Sequence, residues 1–202
     1  DYELDEMGLT RPIGIAYAPD RNLFYVVQNN DEGLSQVIIA TPREDFIDVF
    51  DLGISLSAPA NIAYDSNTGR LLIYDPAAQE LLAFTIEPNG AVESKVPASH
   101  YAMSGLGIDQ AHGMAFDAAN KRLYLLDAAT RAVVSIAADE AGNFEVADAA
   151  ADHVTRIALD VPGGSTLVGL AYRGDRQHFY TSAQGANLVY ELDMAGKVVE
   201  SY

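Results

Sequence analysis

The chain contains no cysteine, so no disulfide holds any part of it, and composition leaves its redox compartment open. Basic residues are scarce: 12 Lys and Arg stand against 29 Asp and Glu, a formal net charge of −17. Nucleic acid is not an expected partner, because such binding rests on Lys and Arg neutralising phosphates. The same charge opposes docking on an anionic membrane and favours solubility or cation binding. No apolar run approaches the roughly 18 residues needed to cross a bilayer, so no membrane insertion is expected. Linkers rich in Pro, Ser or Gly are missing too, and nothing in the 202 residues marks a domain boundary. The first residue is Asp1 rather than Met, with no signal peptide ahead of it. The expectation is an exported protein: secreted, cell-surface or periplasmic.

Familiar catalytic motifs are equally scarce. Around Ser104 the chain reads Tyr101-Ala102-Met103-Ser104-Gly105-Leu106, which is not a nucleophile elbow, and Gly163-Gly164-Ser165 lacks the lysine of a phosphate loop. The histidines, His100, His112, His153 and His178, share no metal-ligand spacing. His178 opens a strand-like run and is expected at the surface. His112 immediately precedes an apolar run and is a candidate ligand-binding residue.

What the chain does have is an internal repeat. A small residue, an apolar residue, Ala and an aromatic recur as Gly14-Ile15-Ala16-Tyr17, Asn61-Ile62-Ala63-Tyr64, Gly113-Met114-Ala115-Phe116 and Gly169-Leu170-Ala171-Tyr172. Periods of roughly 40–50 residues with several strand-like runs in each copy indicate propeller blades. Each opening leads through a turn rich in Asp, Asn and Gly to a second apolar run, the pattern of a β-hairpin. A third run follows at 37–40, 81–86, 133–136 and 188–192, and a more polar fourth at 46–50, 92–96, 154–159 and 198–202. The fold class read from this is all-β, a propeller of four-stranded antiparallel blades spanning about 12–52, 59–97, 111–160 and 167–202. The openings' Ala16, Ala63, Ala115 and Ala171 are expected to be buried on innermost strands. Residues 97–111 and 137–153 read as long loops, the second partly helical.

Residues 2–7 resemble 46–51, an outermost strand, so 1–11 read as the outer strand of a preceding or closing blade. Yet 198–202 already supply that strand for the fourth copy. The surplus points to a larger or chain-completed propeller, with self-association through terminal strands as one outcome.

These units resemble NHL-type and related six-bladed propeller repeats, most clearly at Ile62-Ala63-Tyr64-Asp65 with Leu71-Leu72-Ile73-Tyr74-Asp75. Met114-Ala115-Phe116-Asp117 with Leu123-Tyr124-Leu125-Leu126-Asp127 repeats the pattern. The Asp that closes the second run is replaced by Gln28 and Ala183 in the other two copies. Propellers of this kind include lactone hydrolases of the gluconolactonase group as well as binding modules and scaffolds, so the resemblance implies architecture more than activity. A hydrolase of that group would hold a divalent ion on rim oxygens, for which Asp75 and Asp127 are the metal candidates. Asn29, Asn30 and Asn61 join His112 as ligand-binding candidates at the same rim. The competing reading gives Asp75 and Asp127 the task of capping their own turns. Asp65-x-Asn67-x-Gly69 has the beginning of a calcium loop, although a hairpin turn explains the same residues.

Three functions follow. The preferred one is a non-catalytic module, with no cofactor, that binds protein or glycan partners or builds an extracellular assembly. The alternatives are a metal-dependent lactonase or esterase-type hydrolase, and a structural module stabilised by Ca2+.

Overall fold

The structure is a computed structural model that describes residues 9–43, 45–56, 59–146 and 152–202. The outer strand expected at 2–7 lies outside the described residues. The chain divides into two compact units, Asp1–His100 and Tyr101–Tyr202. Among the described residues, sixteen strands form four antiparallel four-stranded sheets, each in simple sequence order, and the all-β propeller-blade architecture read from the repeat is what the structure shows.

The first sheet comprises β1 (Pro12–Ala18), β2 (Leu23–Asn29), β3 (Ser35–Ala40) and β4 (Phe46–Asp51). The second comprises β5 (Asn61–Asp65), β6 (Arg70–Asp75), β7 (Glu80–Thr85) and β8 (Ser99–Ala102). The third runs through β9 (Ala111–Asp117), β10 (Arg122–Asp127), β11 (Ala132–Ala137) and β12 (Val154–Ala158). The fourth is β13 (Leu167–Arg173), β14 (His178–Ala183), β15 (Leu188–Leu192) and β16 (Val198–Ser201).

The hairpins form because one residue before each second strand takes a left-handed backbone. Asn22, Gly69, Lys121 and Gln177 have φ of 54°, 65°, 51° and 55°. Such angles favour Gly and Asn, yet two copies use Lys and Gln, so the turn geometry prevails over residue preference.

Two expectations are corrected. Residues 92–96 do not form the fourth strand of the second sheet: Val92 makes only an isolated bridge to Ile86, and the edge strand is β8. The supposed loop 97–111 therefore contains a strand and a short 3-10 turn at Ser104–Leu106. The second sheet then closes at Ala102 rather than 97. No helix occurs among the described residues of 137–153.

Within each unit, neighbouring sheets pack face to face. In the first unit, Ala16, Ala18, Tyr25, Val27, Val37 and Ile39 share one core with Ile62, Tyr64, Leu71, Ile73, Leu82 and Phe84. The innermost strands approach closely because Gly14 has no Cβ: one placed there would sit 2.5 Å from the Ala60 carbonyl oxygen. In the second unit Gly113 serves the same purpose, its missing Cβ falling 2.4 Å from Leu170 N. Ala16, Ala63 and Ala115 are buried as expected. Ala171 is exposed, because it points to the face of β13 away from the core of its unit.

Candidate functional site

The rim residues singled out from sequence are committed to shaping loops. Asn29 Nδ2 donates to the Leu56 carbonyl at 3.2 Å while its Oδ1 accepts from Ser35 Oγ at 2.6 Å. Ser35 Oγ in turn accepts from Leu56 N at 2.8 Å, so one hydroxyl joins strand and loop. Asn30 Oδ1 accepts from the backbone N–H groups of Glu32 and Leu34, both at 3.0 Å. Asn61 is fully buried, its Nδ2 near the Pro59 carbonyl at 3.5 Å. His112 is half-buried with Nδ1 3.3 Å from the Leu167 carbonyl.

The carboxylates behave alike. Asp75 Oδ1 accepts from Ala77 and Ala78 N–H at 2.9 and 3.3 Å. Asp127 is buried; Oδ1 accepts from Ala129 N–H at 3.2 Å, and Oδ2 from Thr130 Oγ1 at 2.6 Å and Arg156 Nη1 at 3.4 Å. The calcium-like turn follows the same rule, with the Asp65 carboxylate taken by Asn67 N–H, Thr68 Oγ1 and Arg70. Among the described residues, no group of three or more His, Cys, Asp or Glu is placed to hold a metal ion.

Two sheet faces carry the unusual surface chemistry. On the first sheet, the face opposite the core has two cross-strand rows: Ile15–Val26–Ile38–Val49 and Tyr17–Phe24–Ala40–Phe46. Leu9 covers Val26 and Ile38, while Ile15 is 60% exposed and Tyr17, Phe46 and Val49 about half exposed. The exposed apolar side chains thus stand on the two outer strands of the sheet, Ile15 and Tyr17 on β1 and Phe46 and Val49 on β4, with Val26, Ile38 and Ala40 buried between them.

On the fourth sheet, the face opposite the core is polar, with the row Ala171–Tyr180–Glu191–Glu200 beside the pair Arg173–His178. Glu191 is only 1% exposed. It accepts from Tyr202 OH at 2.7 Å, faces His178 Nδ1 at 2.7 Å, and has Arg176 Nη1 at 3.6 Å. The bond from His178, then those from Tyr180 and Tyr202, pull its carboxyl down to about 2. The same carboxylate pushes Tyr202 upward, since ionising the phenol would place a second negative charge beside it. Arg173 is held cationic by Asp175, which it grips through Nε and Nη2 at 2.7 and 3.0 Å.

His178 is thus not the solvent-facing residue expected from sequence. The signal was present as period-2 spacing: His178, Tyr180 and Ser182 alternate on one face of β14, and Tyr180 stands opposite Glu191.

A further cluster joins the two sheets of the first unit. Arg21, in the β1–β2 turn, donates from Nε to Tyr64 OH at 2.7 Å and from its η-nitrogens to the carbonyls of Ile86 and Glu87. Tyr64 OH donates onward to Asp20 Oδ2 at 3.1 Å. Tyr25 OH donates to the Gly90 carbonyl at 3.0 Å, and burial pushes its phenol up to about 12.

The sequence matches no family model and no curated protein. Solved structures do share the fold. A functionally unknown protein from Desulfotomaculum acetoxidans is 13% identical with a TM-score of 0.61, over 96% of this chain and 56% of that one. The periplasmic gluconolactonase of Pseudomonas aeruginosa is 13% identical with a TM-score of 0.56, over 93% and 56%. Regucalcin from Agrobacterium tumefaciens, a calcium-binding protein, is 14% identical with a TM-score of 0.57, over 87% and 54%. The chain spans little more than half the length of each. At these identities the likeness is one of fold: this chain is similar to gluconolactonase- and regucalcin-like β-propellers in architecture.

Proposed function

We propose that this chain is a non-catalytic β-propeller module that acts outside the cytoplasm by binding a protein or glycan partner or by assembling. The observation that carries the reading is the set of exposed apolar side chains on the first sheet, Ile15 and Tyr17 on β1 and Phe46 and Val49 on β4. Burying such side chains against a partner is favourable by about 25 cal/mol per Å² of apolar area. The rim amides and carboxylates, by contrast, already serve their own turns. Fold likeness to a periplasmic gluconolactonase supports the placement outside the cytoplasm.

The test compares wild type with an Ile15→Glu/Val49→Glu double variant of unchanged melting temperature. Capture of a protein or glycan ligand by wild type alone supports the reading; equal capture by both overturns it.

Metal-dependent lactone hydrolysis is the second reading, supported by the same gluconolactonase likeness. It requires turnover of a sugar lactone that rises with Ca2+ and falls in Asp75→Asn or Asp127→Asn. A melting temperature that drops with chelator in the absence of turnover would instead favour a calcium-stabilised module.

A further inference from the structure

The latch by which Arg21, Tyr25 and Tyr64 join the two sheets of the first unit ends on one tight turn. Glu87-Pro88-Asn89-Gly90 reverses the chain, with Gly90 N–H donating to the Glu87 carbonyl at 2.9 Å and Glu87 N–H to the Ala91 carbonyl at 2.8 Å. Arg21 Nη1 shares the Glu87 carbonyl, and Tyr25 OH donates to the Gly90 carbonyl at 3.0 Å. Gly90 is buried with φ of 93°, and Leu23 packs where a Cβ on it would stand. Asn89, one residue earlier, is exposed.

Asn89–Gly90 is also the sole Asn-Gly step in the sequence. An asparagine Cγ is an electrophile held within ring-closing reach of the next backbone nitrogen, and glycine leaves that nitrogen unobstructed by a side chain. Here the electrophile already has support: Asn89 Oδ1 accepts from Ala91 N–H at 2.9 Å, so charge developing on that oxygen meets a donor in place. The nucleophile is restrained, because Gly90 N–H is engaged by the Glu87 carbonyl and Arg21 and Tyr25 pin the turn. Asn120 and Asn187, also exposed, precede Lys121 and Leu188, whose side chains crowd the attacking nitrogen.

We infer that Asn89 is a self-modification site, deamidating through its own backbone at a rate that Arg21 and Tyr25 set. When the turn opens, Gly90 N attacks Asn89 Cγ and the new bond closes a succinimide. The Cγ–Nδ2 bond breaks, and ammonia leaves with the proton given up by Gly90 N. Water then adds to one ring carbonyl. Addition at Cγ opens the ring to aspartate with the chain path unchanged. Addition at the Asn89 main-chain carbon breaks its bond to Gly90 N and leaves isoaspartate, the chain now running through the side chain with one extra backbone carbon. Both products carry a carboxylate in place of a neutral amide. Isoaspartate also displaces the Gly90 carbonyl from Tyr25 OH, so the modification loosens the contact that restrained it.

Peptide mass mapping of the purified, folded chain during incubation in mildly alkaline buffer tests this, with isoaspartate detected by enzymatic methylation. The Tyr25 phenol, pushed up to about 12 by burial, keeps its donating proton under those conditions. Wild type should lose the Asn89 amide while Asn120 and Asn187 keep theirs, and methylation should vanish in Asn89→Gln. Tyr25→Phe should speed the loss about fivefold, the gain in open turn that removing one neutral hydrogen bond brings. Arg21→Met, which frees the Glu87 carbonyl, should act in the same direction. Asn89→Asp should melt with wild type, whereas the isoaspartyl form should melt lower, because its backbone alone has changed path. An Asn89 amide that survives as long as that of Asn120 overturns the inference. Loss at Asn89 that is no faster in either latch variant overturns the control assigned to Arg21 and Tyr25.

Discussion

Arg21 Nε donates to the Tyr64 hydroxyl at 2.7 Å, tying the hairpin of the first sheet to the innermost strand of the second. The guanidinium also lies 5.9 Å above the Tyr64 ring, and Tyr64 stacks on Tyr25 with centroids 6.0 Å apart. The Arg21 side chain is only 17% exposed, so water does not readily replace these partners. A hydrogen bond to a charged group contributes about 1.5–3 kcal/mol net. Arg21→Met should lower unfolding free energy by about that amount, and Tyr64→Phe by about 1 kcal/mol. The double variant should fall short of their sum by at least roughly 0.5 kcal/mol, because the groups share one contact. Urea denaturation of the four proteins measures this; strict additivity would refute the latch.

The sequence displayed the blades because repetition and alternation are properties of the chain itself. Ala16, Ala63 and Ala115 are buried where the register placed them, and the edge strand 198–202 sits on β15 as read. The same logic misplaced the edge of the second sheet. Val92-Glu93-Ser94-Lys95-Val96 has the polar composition of an outer strand, yet Glu93 N bonds back to Thr85 O and the edge strand follows only at Ser99. A polar composition suits a segment to an outer strand but does not decide which segment takes the open edge.

Ala171 fails for a different reason: an opening motif marks the innermost strand, but burial depends on whether another sheet covers that face. The Glu191 cluster was less visible still, since its members come from a turn, two strands and Tyr202, and only tertiary folding gathers them.

Gly113 gives a sharp test of inner-strand packing. A Cβ there would lie 2.4 Å from Leu170 N and 2.7 Å from Gly169 C, both backbone atoms, so no side-chain rotation relieves the clash. The strands β9 and β13 must separate to admit it. Gly113→Ala should cost about 1–3 kcal/mol, the usual range for overpacking. Gly164→Ala is the control, because nothing lies within 4 Å of its Cβ position and its φ is not positive. Thermal melts should show a clear drop for the first and less than about 0.5 kcal/mol for the second. Equal melting temperatures would mean that the sheets are not in van der Waals contact at Gly113.

Glu191 sets an acid limit on the fourth sheet. Its carboxyl titrates at about 2 in the folded chain against an ordinary 4.5, because His178, Tyr180 and Tyr202 bond its charged form. A depressed folded-state value stabilises the protein above the unfolded value, and that stabilisation is lost as pH falls from 4.5 toward 2. Arg176 at 3.6 Å works in the same direction, while Glu200, its cross-strand neighbour, shares the Tyr202 hydroxyl at 3.0 Å. Glu191→Gln keeps the shape but removes the titration. Wild type should therefore exceed the variant in urea midpoint at about pH 7, by a margin that shrinks through about pH 4 and vanishes near pH 2. Tyr202→Phe should narrow the margin by removing one of the donors that hold the carboxylate charged. A difference between wild type and Glu191→Gln that stays constant across this range would show that Glu191 acts by shape alone, with its charge contributing nothing to the sheet.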